Sequence, residues 1–236
     1  MTTNEIITIL EEHKDEKGIR HWKKHGNSSI SSYGIGISKL RKLISTYGIK
    51  RNRYLAHKLW KTPIAEAQLM STLVDEPQKL TKARINQRME ESKYGMLSHY
   101  FAINVVIKTS YVREMINKWV SNENTVYRRS GYALLGELAK PKTKAGQHVA
   151  DEYFAAYLNI IDREIWNNEG WTQDAMNNCL IAIGQRSQEL NDMALEIATK
   201  IGKLNIDYGD TSCKTLDTLR YLNKAKEKLA EKVGNI

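Results

Sequence analysis

Proline is nearly absent from this 236-residue chain, and its scarcity constrains the fold more than any other feature. Only Pro63, Pro77 and Pro141 occur, each between segments whose apolar residues recur at i, i+3, i+4 and i+7. That spacing places apolar side chains on one face of a helix, whereas a half-buried strand needs strict alternation, and no long stretch alternates. The sequence therefore predicts an all-α protein in which the prolines separate helices.

The predicted helices are short, and short turns join them. They cover residues 37–46, 51–60, 64–74, 81–92, 95–107, 111–120, 123–139, 148–166, 171–186, 190–202 and 214–232. Helical pairs recur about every 35 to 45 residues, the range of HEAT and armadillo repeats. We predict one domain over residues 1–236, a superhelical stack of HEAT-like antiparallel helical pairs (an α-α solenoid), with a loop-rich segment around residues 22–36. A compact irregular bundle is the alternative, but a stack leaves a concave surface open to a long ligand.

Net charge points to a polyanionic partner. The chain carries 36 Lys and Arg against 27 Asp and Glu, a net charge of +9, and neutralising phosphates releases counterions. Solvated helix faces are the alternative explanation for any one basic group. The basic residues form three groups in the sequence: Lys14, Lys17, Arg20, Lys23 and Lys24; Lys39, Arg41, Lys42, Lys50, Arg51 and Arg53; and Arg128, Arg129, Lys140, Lys142 and Lys144.

Several classes of protein are disfavoured. No apolar run approaches the ~20 residues of a membrane span, and residues 1–18 lack the basic start and apolar stretch of a secretory signal, so we expect a cytoplasmic protein that does not enter a membrane. Cys179 and Cys213 have no CxxC partner, which argues against a disulfide framework or zinc site. We expect both cysteines to be small buried apolar side chains. The six histidines are scattered, and we expect no metal and no cofactor.

From Tyr33 onward, several stretches taken in order carry a family resemblance. They are YGIGISKLRKL, LAHKLWKTPIAEAQLMSTLVDEP, VYRRSGYALLGELA at 126–139, MNNCLIAIGQRSQEL at 176–190 and IGKLNIDYGDTSCKTLDTLRYLNKA at 201–225. Residues 33–225 thus resemble the AlkD-like HEAT-repeat DNA glycosylases, also called DNA alkylation repair proteins. The resemblance implies a stack of helical pairs that holds duplex DNA on a basic concave face. It also implies excision of cationic alkylpurines without metal, cofactor or base flipping.

Family members use two tryptophans, an aspartate that stabilises the sugar cation, and an arginine that contacts a phosphate. The arginine matches Arg129, with Arg128 beside it, and guanidinium suits phosphate. The pattern WxxxD falls on Tyr94 and Ser98, or in a register two residues later on Met96 and Tyr100. Neither register supplies an acid, and the whole stretch 92–110 contains no carboxylate.

The second tryptophan position falls on Asn178, so the chain resembles a family member that lacks the usual catalytic Asp and Trp residues. Losing the carboxylate forgoes an electrostatic contribution of several kcal/mol to the transition state. Asp174, one turn before Asn178, is a possible substitute at i, i+4 spacing. The alternative is a solvent-facing aspartate near the start of its helix.

These residues predict DNA binding more strongly than catalysis. Besides the two arginines, the expected contacts to DNA are Lys39, Arg41, Lys42, Lys140, Lys142, Lys144, Lys214 and Trp171, whereas we expect Trp60, Trp119 and Trp166 to lie in the core. We predict a monomer that recognises bent, damaged or branched duplex DNA through contacts to the DNA backbone, with little or no base excision. The alternatives are a glycosylase for alkylated or otherwise damaged purines and a helical-repeat scaffold for another protein, so enzyme activity stays open.

Overall fold

The computed structural model describes residues 1–25, 29–208 and 213–234. These residues contain thirteen α-helices and no β-strand, and one isolated parallel bridge joins Ser31 to Ile64. The all-α prediction is therefore confirmed for the part of the chain that the structure describes. The helices form two compact units, Met1–Tyr111 and Val112–Ile236, and each is described by itself below.

The first unit contains seven α-helices. They are α1 (Thr3–Glu12), α2 (Glu16–His25), α3 (Ile37–Thr46), α4 (Arg53–Trp60), α5 (Ala65–Val74), α6 (Lys82–Glu91) and α7 (Gly95–Asn104), with short 3-10 helices at Pro77–Lys79 and Val106–Lys108. Side-chain caps begin several of them. Asn52 accepts from the Leu55 amide and Thr81 accepts from the Arg84 amide, each satisfying one of the unpaired donors of a helix start.

Helix α5 lies at the centre of the first unit, in contact with α1, α3, α4 and α7. Almost all of its residues are buried, so its polar side chains must find partners inside the protein. The Glu66 carboxylate accepts hydrogen bonds from the Ser32 hydroxyl at 2.7 Å and from the Tyr33 and Ile35 amides at 3.0 Å each. This buried acid fastens the non-helical segment before α3 to the central helix.

A buried ion pair also belongs to the first unit. Arg88 on α6 is 1% exposed and donates to the Asp75 carboxylate, which is equally enclosed. The guanidinium carbon lies 5.1 Å from the ring centre of Trp60 and 6.0 Å from that of Phe101. Burial lowers the pKa of Arg88, and the charge of Asp75 opposes this shift. Removing either partner would leave an uncompensated buried charge.

The second unit contains six α-helices. They are α8 (Val112–Val120), α9 (Thr125–Ala139), α10 (Asp151–Glu164), α11 (Gly170–Ile183), α12 (Gln188–Ile201) and α13 (Thr218–Gly234), with short 3-10 helices at Lys144–Gly146 and Ile165–Asn167. Helix α11 is central here, packed against α9, α10, α12 and α13. Gly131 lets α8 and α9 approach closely, because a Cβ built there would lie 2.7 Å from the Val120 backbone nitrogen.

Most predicted helices match the structure within a few residues. The segment 37–46 is reproduced as α3, and Gly48 follows it with a φ of +59°, the left-handed conformation that favours glycine at a helix end. Helices α1 and α2 are not among the predicted segments. Helix α2 includes Trp22 to His25, so the segment predicted as loop-rich begins inside a helix; residues 29–36 are non-helical, and 26–28 lie outside the described residues.

Two burial predictions are wrong in part. Trp60 and Trp119 are buried as expected, but Trp166 is 60% exposed because it lies in the 3-10 turn after α10 instead of on a packed helix face. Cys179 is buried, whereas Cys213 is exposed in the segment before α13. The apolar neighbours of Trp166 in the sequence therefore did not indicate a buried position, and Cys213 has mainly polar neighbours in the sequence.

Candidate nucleic-acid interface

Tyr94 and Ser98, the residues at the family's first tryptophan and aspartate in one register of the WxxxD pattern, lie in the first unit at the start of α7. Tyr94 precedes the helix and donates through its hydroxyl to the Ala65 carbonyl at 3.1 Å, while its ring lies edge-on to Trp22 at 5.2 Å. Burial raises the pKa of Tyr94. Ser98 is fully enclosed and donates to the Gly95 carbonyl at 3.0 Å. Neither residue presents an acid or a nucleophile to solvent.

In the second unit, the structure brings together two of the residues predicted to bind DNA. Arg129 lies in the first turns of α9, and Trp171 begins α11, the helix packed along α9. The Arg129 guanidinium carbon is 4.6 Å from the centre of the Trp171 ring. Trp171 is 38% exposed. A guanidinium over an aromatic ring is a favourable cation–π contact, and the planar N–H groups of arginine suit a bidentate contact to phosphate.

Asp174, the possible substitute acid, lies beside this pair. Its Oδ1 atom accepts from the Tyr208 hydroxyl at 2.6 Å, and its Oδ2 atom accepts from Asn178 Nδ2 at 3.0 Å. The second bond confirms that Asp174 and Asn178 share a helix face. The alternative of a solvent-facing aspartate is wrong, because the side chain is half-buried under Tyr208.

Burial dominates the electrostatics of Asp174. It raises the pKa of the carboxyl group, against the opposing effects of the Tyr208 hydrogen bond, the Arg129 charge and the Asn178 hydrogen bond. Burial and the bond to Asp174 raise the pKa of Tyr208 to about 12. The Tyr208 hydroxyl therefore keeps its proton at neutral pH and remains the donor in this bond.

Tyr208 is the residue of this site that the sequence did not reveal. Its ring makes an edge-type contact with that of Trp171, at 5.0 Å between ring centres and an interplanar angle of 66°, and its hydroxyl donates to Asp174. No local pattern marks it, since it lies in a non-helical stretch far along the chain from both partners. We call Arg129, Trp171, Asp174, Asn178 and Tyr208 the Trp171 cluster.

Arg128 is engaged elsewhere. Its Nε atom donates to the Asn122 carbonyl at 2.9 Å, and one terminal nitrogen donates to Asn168 Oδ1 at 2.9 Å. These bonds brace the turn before α9 against the end of the Ile165–Asn167 3-10 helix. Arg128 is half-buried, and its side chain is not part of the Trp171 cluster despite being adjacent in sequence to Arg129.

The remaining predicted basic contacts are exposed. In the first unit, Lys39, Arg41 and Lys42 lie on α3, and Lys39 donates to the His13 carbonyl at 3.0 Å. The others belong to the second unit: Lys140, which pairs with Glu137 at 2.6 Å, Lys142, Lys144 and Lys214. None of the four lysines of the second unit is a member of the Trp171 cluster.

Within residues 1–25, 29–208 and 213–234, no three His, Cys, Asp or Glu side chains converge in a way that could hold a metal ion. In the same part of the chain, every helix is too short or too polar to cross a bilayer.

Comparison with known proteins identifies the family. The family model described as DNA alkylation repair enzyme matches residues 6–209. The chain belongs to this family. The match confirms the resemblance over residues 33–209 and extends it back through α2 to residue 6 in α1. Helix α13 lies beyond the matched residues.

Relatives of this family member are similar along their whole length. An uncharacterised protein of Listeria innocua is 24% identical and one of Listeria monocytogenes is 23% identical, and each alignment covers 97% of this chain and 99% of the relative. One solved structure is described as a new family of proteins related to the HEAT-like repeat DNA glycosylases with affinity for branched DNA structures. It superposes with a TM-score of 0.80 at 17% identity, over 97% of this chain and 95% of the other. This likeness confirms the predicted HEAT-like helical fold.

Proposed function

We propose that this protein contacts the sugar-phosphate backbone of DNA and recognises DNA structure, such as a bend, a damaged site or a branch, with little or no base excision. The observation that carries the proposal is the position of Arg129 over the exposed Trp171 ring. A phosphate held by Arg129 would place the neighbouring sugar or base near the indole. Such contacts read the shape of DNA and not its sequence.

Family membership and charge support DNA as the partner. The chain belongs to a family described by DNA alkylation repair, and it carries a net charge of +9. The structural neighbour's affinity for branched DNA supports branched duplex as one of the forms to test. We further propose that the protein acts as a monomer in the cytoplasm, where it would meet DNA.

The state of Asp174 supports weak or absent excision. Both of its oxygens already accept hydrogen bonds, from Tyr208 and Asn178, and burial raises the pKa of the carboxyl group. A carboxylate whose two oxygens both accept hydrogen bonds within the protein must give up at least one of them before it can contact a developing sugar cation. Neither register of the WxxxD pattern supplies an acid in α7, since one places the enclosed Ser98 at the aspartate position and the other places Tyr100 there.

One observation favours the alternative, a glycosylase for alkylated or otherwise damaged purines. Asp174 is the acid in the Trp171 cluster, close enough to Arg129 for the guanidinium charge to lower its pKa. If DNA binding displaced Tyr208, the carboxylate could face a sugar held at Trp171. The alternative would then make Asp174 the catalytic residue.

Two measurements on the purified protein separate these functions. Fluorescence anisotropy with linear, bent and branched duplexes should show binding that weakens steeply with salt. A single-turnover assay with duplex containing N7-methylguanine, at high protein excess, should release no free base. Release that disappears in Asp174→Asn would establish the glycosylase instead, and failure to bind any duplex at low salt would refute the proposed function.

A further inference from the structure

A basic cleft lies in the second unit where α9 and α11 end against α13. Its cavity measures about 530 Å³ and is lined by lysines from both walls, Lys140 and Lys142 on one side and Lys224 and Lys228 on the other. No carboxylate is among the described residues that line it, although Glu137 pairs with Lys140 just outside. The cleft therefore attracts anions.

The α13 wall combines charge with an aromatic ring. Tyr221, Lys224, Ala225 and Lys228 follow the i, i+3, i+4, i+7 spacing of one helix face, and all line the cleft. Leu222, on the adjoining face, is fully buried, and its carbonyl accepts from Asn191 at 3.1 Å, which fixes how the helix is turned. Tyr221 remains 42% exposed.

The opposite wall is held rigidly. Arg186, just after α11, donates to the carbonyls of Ala139 at 3.1 Å, Gly146 at 3.3 Å and Val149 at 3.1 Å. Its Nε atom also donates to Asp151 at 3.2 Å. These bonds fix the turn that carries Lys140 and Lys142, so this wall of the cleft is held in place.

We propose that this cleft binds an unpaired strand of the DNA held by the protein, with phosphates on the lysines and a base stacked on Tyr221. A basic groove beside an exposed aromatic ring is the combination by which proteins hold single-stranded nucleic acid. A duplex buries the faces of its bases and would leave the ring of Tyr221 unused. The ligand is therefore a short single-stranded segment, as found at an overhang, a gap or a branch.

This inference rests on the proposed function, because the strand belongs to DNA bound at the Trp171 cluster. Arg129 and Lys140 lie eleven residues apart in sequence, near the two ends of α9, a separation of about 16 Å along a helix. One DNA molecule can therefore reach both positions. The cleft is a separate site, and its α13 wall lies outside residues 6–209, which the family model matches.

The test compares a blunt duplex with the same duplex carrying a short oligothymidine overhang. The wild-type protein should bind the overhang DNA more tightly. Tyr221→Leu should reduce that binding by about tenfold through lost stacking and leave blunt-duplex binding unchanged, whereas Tyr221→Phe should bind as the wild type does. The double variant Lys224→Gln/Lys228→Gln should lower the slope of log K against log salt for overhang binding by about 1.4, because two contacts to single-strand phosphates are lost.

Matched controls exclude general effects of charge and surface aromatics. Lys200→Gln/Lys226→Gln removes two lysines of the second unit that pair with Asp162 and Asp192, and Trp166→Leu removes an exposed ring outside the cleft. Both controls should retain the preference for the overhang, and thermal denaturation should show every variant folded.

The outcomes separate the two proposals. Equal affinity of the wild-type protein for blunt and overhang DNA overturns the cleft inference and leaves the proposed function standing. An overhang preference that survives in both Tyr221→Leu and the lysine double variant also overturns it. A wild-type protein that binds no DNA at low salt refutes the proposed function, and the cleft inference with it.

Discussion

Replacing Arg129 by alanine is the most direct test of the Trp171 cluster. A hydrogen bond from a charged donor contributes about 1.5 to 3 kcal/mol, which corresponds to a loss of about ten- to a hundredfold in affinity. The loss should be uniform across DNA sequences, because a phosphate contact carries no base information. Losing one contact to duplex should also lower the slope of log K against log salt by about 0.9.

Arg129→Lys separates charge from the stacked geometry. Lysine retains the positive charge, so the salt slope should stay near that of the wild type. It loses the planar fork that Arg129 holds 4.6 Å from the Trp171 ring centre. A cation over an aromatic ring at an exposed site contributes about 0.5 to 1 kcal/mol, so we expect about a two- to fivefold loss in affinity.

The assay is an anisotropy titration of labelled duplex over roughly 50 to 200 mM salt, a range over which electrostatic binding to DNA weakens by orders of magnitude. Arg163→Ala is the matched control, since Arg163 is an arginine of the same unit whose side chain is 67% exposed and pairs with its neighbour Glu164. It should leave the affinity and the slope unchanged. If Arg129→Ala folds normally and binds with the wild-type affinity and slope, Arg129 contacts no phosphate and the reasoning fails.

Three further predictions concern stability. The folded-state pKa of Asp174 is raised above its ordinary value of 3.8, so its burial destabilises the fold only once the carboxyl group ionises. The free energy of unfolding of the wild type should therefore fall relative to that of Asp174→Asn as the pH rises from below 3.8 through the raised pKa. Urea titrations in which the two proteins give parallel pH profiles would contradict this. Asp75→Asn leaves Arg88 buried without a counter-charge and should lower the free energy of unfolding by about 3 to 5 kcal/mol in the same titration, whereas a loss under about 1 kcal/mol would show that Arg88 is compensated in another way. Gly131→Ala places a methyl 2.7 Å from the Val120 nitrogen and should cost about 1 to 3 kcal/mol in thermal denaturation, and an unchanged melting temperature would mean that α8 and α9 can separate without cost.

Local sequence was a good guide to the helices. The apolar spacing of α3 and the Thr81 cap of α6 act within a few residues, so they could be recognised without the fold. Helices α1 and α2 were missed although α1 has a capping box in which Thr2 and Glu5 satisfy each other's backbone amides. That signal was present in the sequence and could have located the first helix.

The candidate site was only partly predictable. Arg129 and Trp171 were found because each stands out locally, one by family resemblance and the other by its polar surroundings. The sequence did not predict the contact between Arg129 and the Trp171 ring, nor the hydrogen bond from Tyr208 to Asp174. Each of these contacts joins residues from different elements, so it depends on how the helices pack and not on any spacing within one of them.

The sequence by itself determined that the chain is helical, basic and a member of the DNA alkylation repair family, and that residues 92–110 contain no carboxylate. These properties follow from composition, periodicity and residue identity at matched positions. Tertiary structure alone decided that Asp174 is half-buried with both oxygens occupied, and that Lys142 and Tyr221 line one cleft. The reason is that burial and charge pairing depend on neighbours from distant parts of the chain, which only the packed helices bring together.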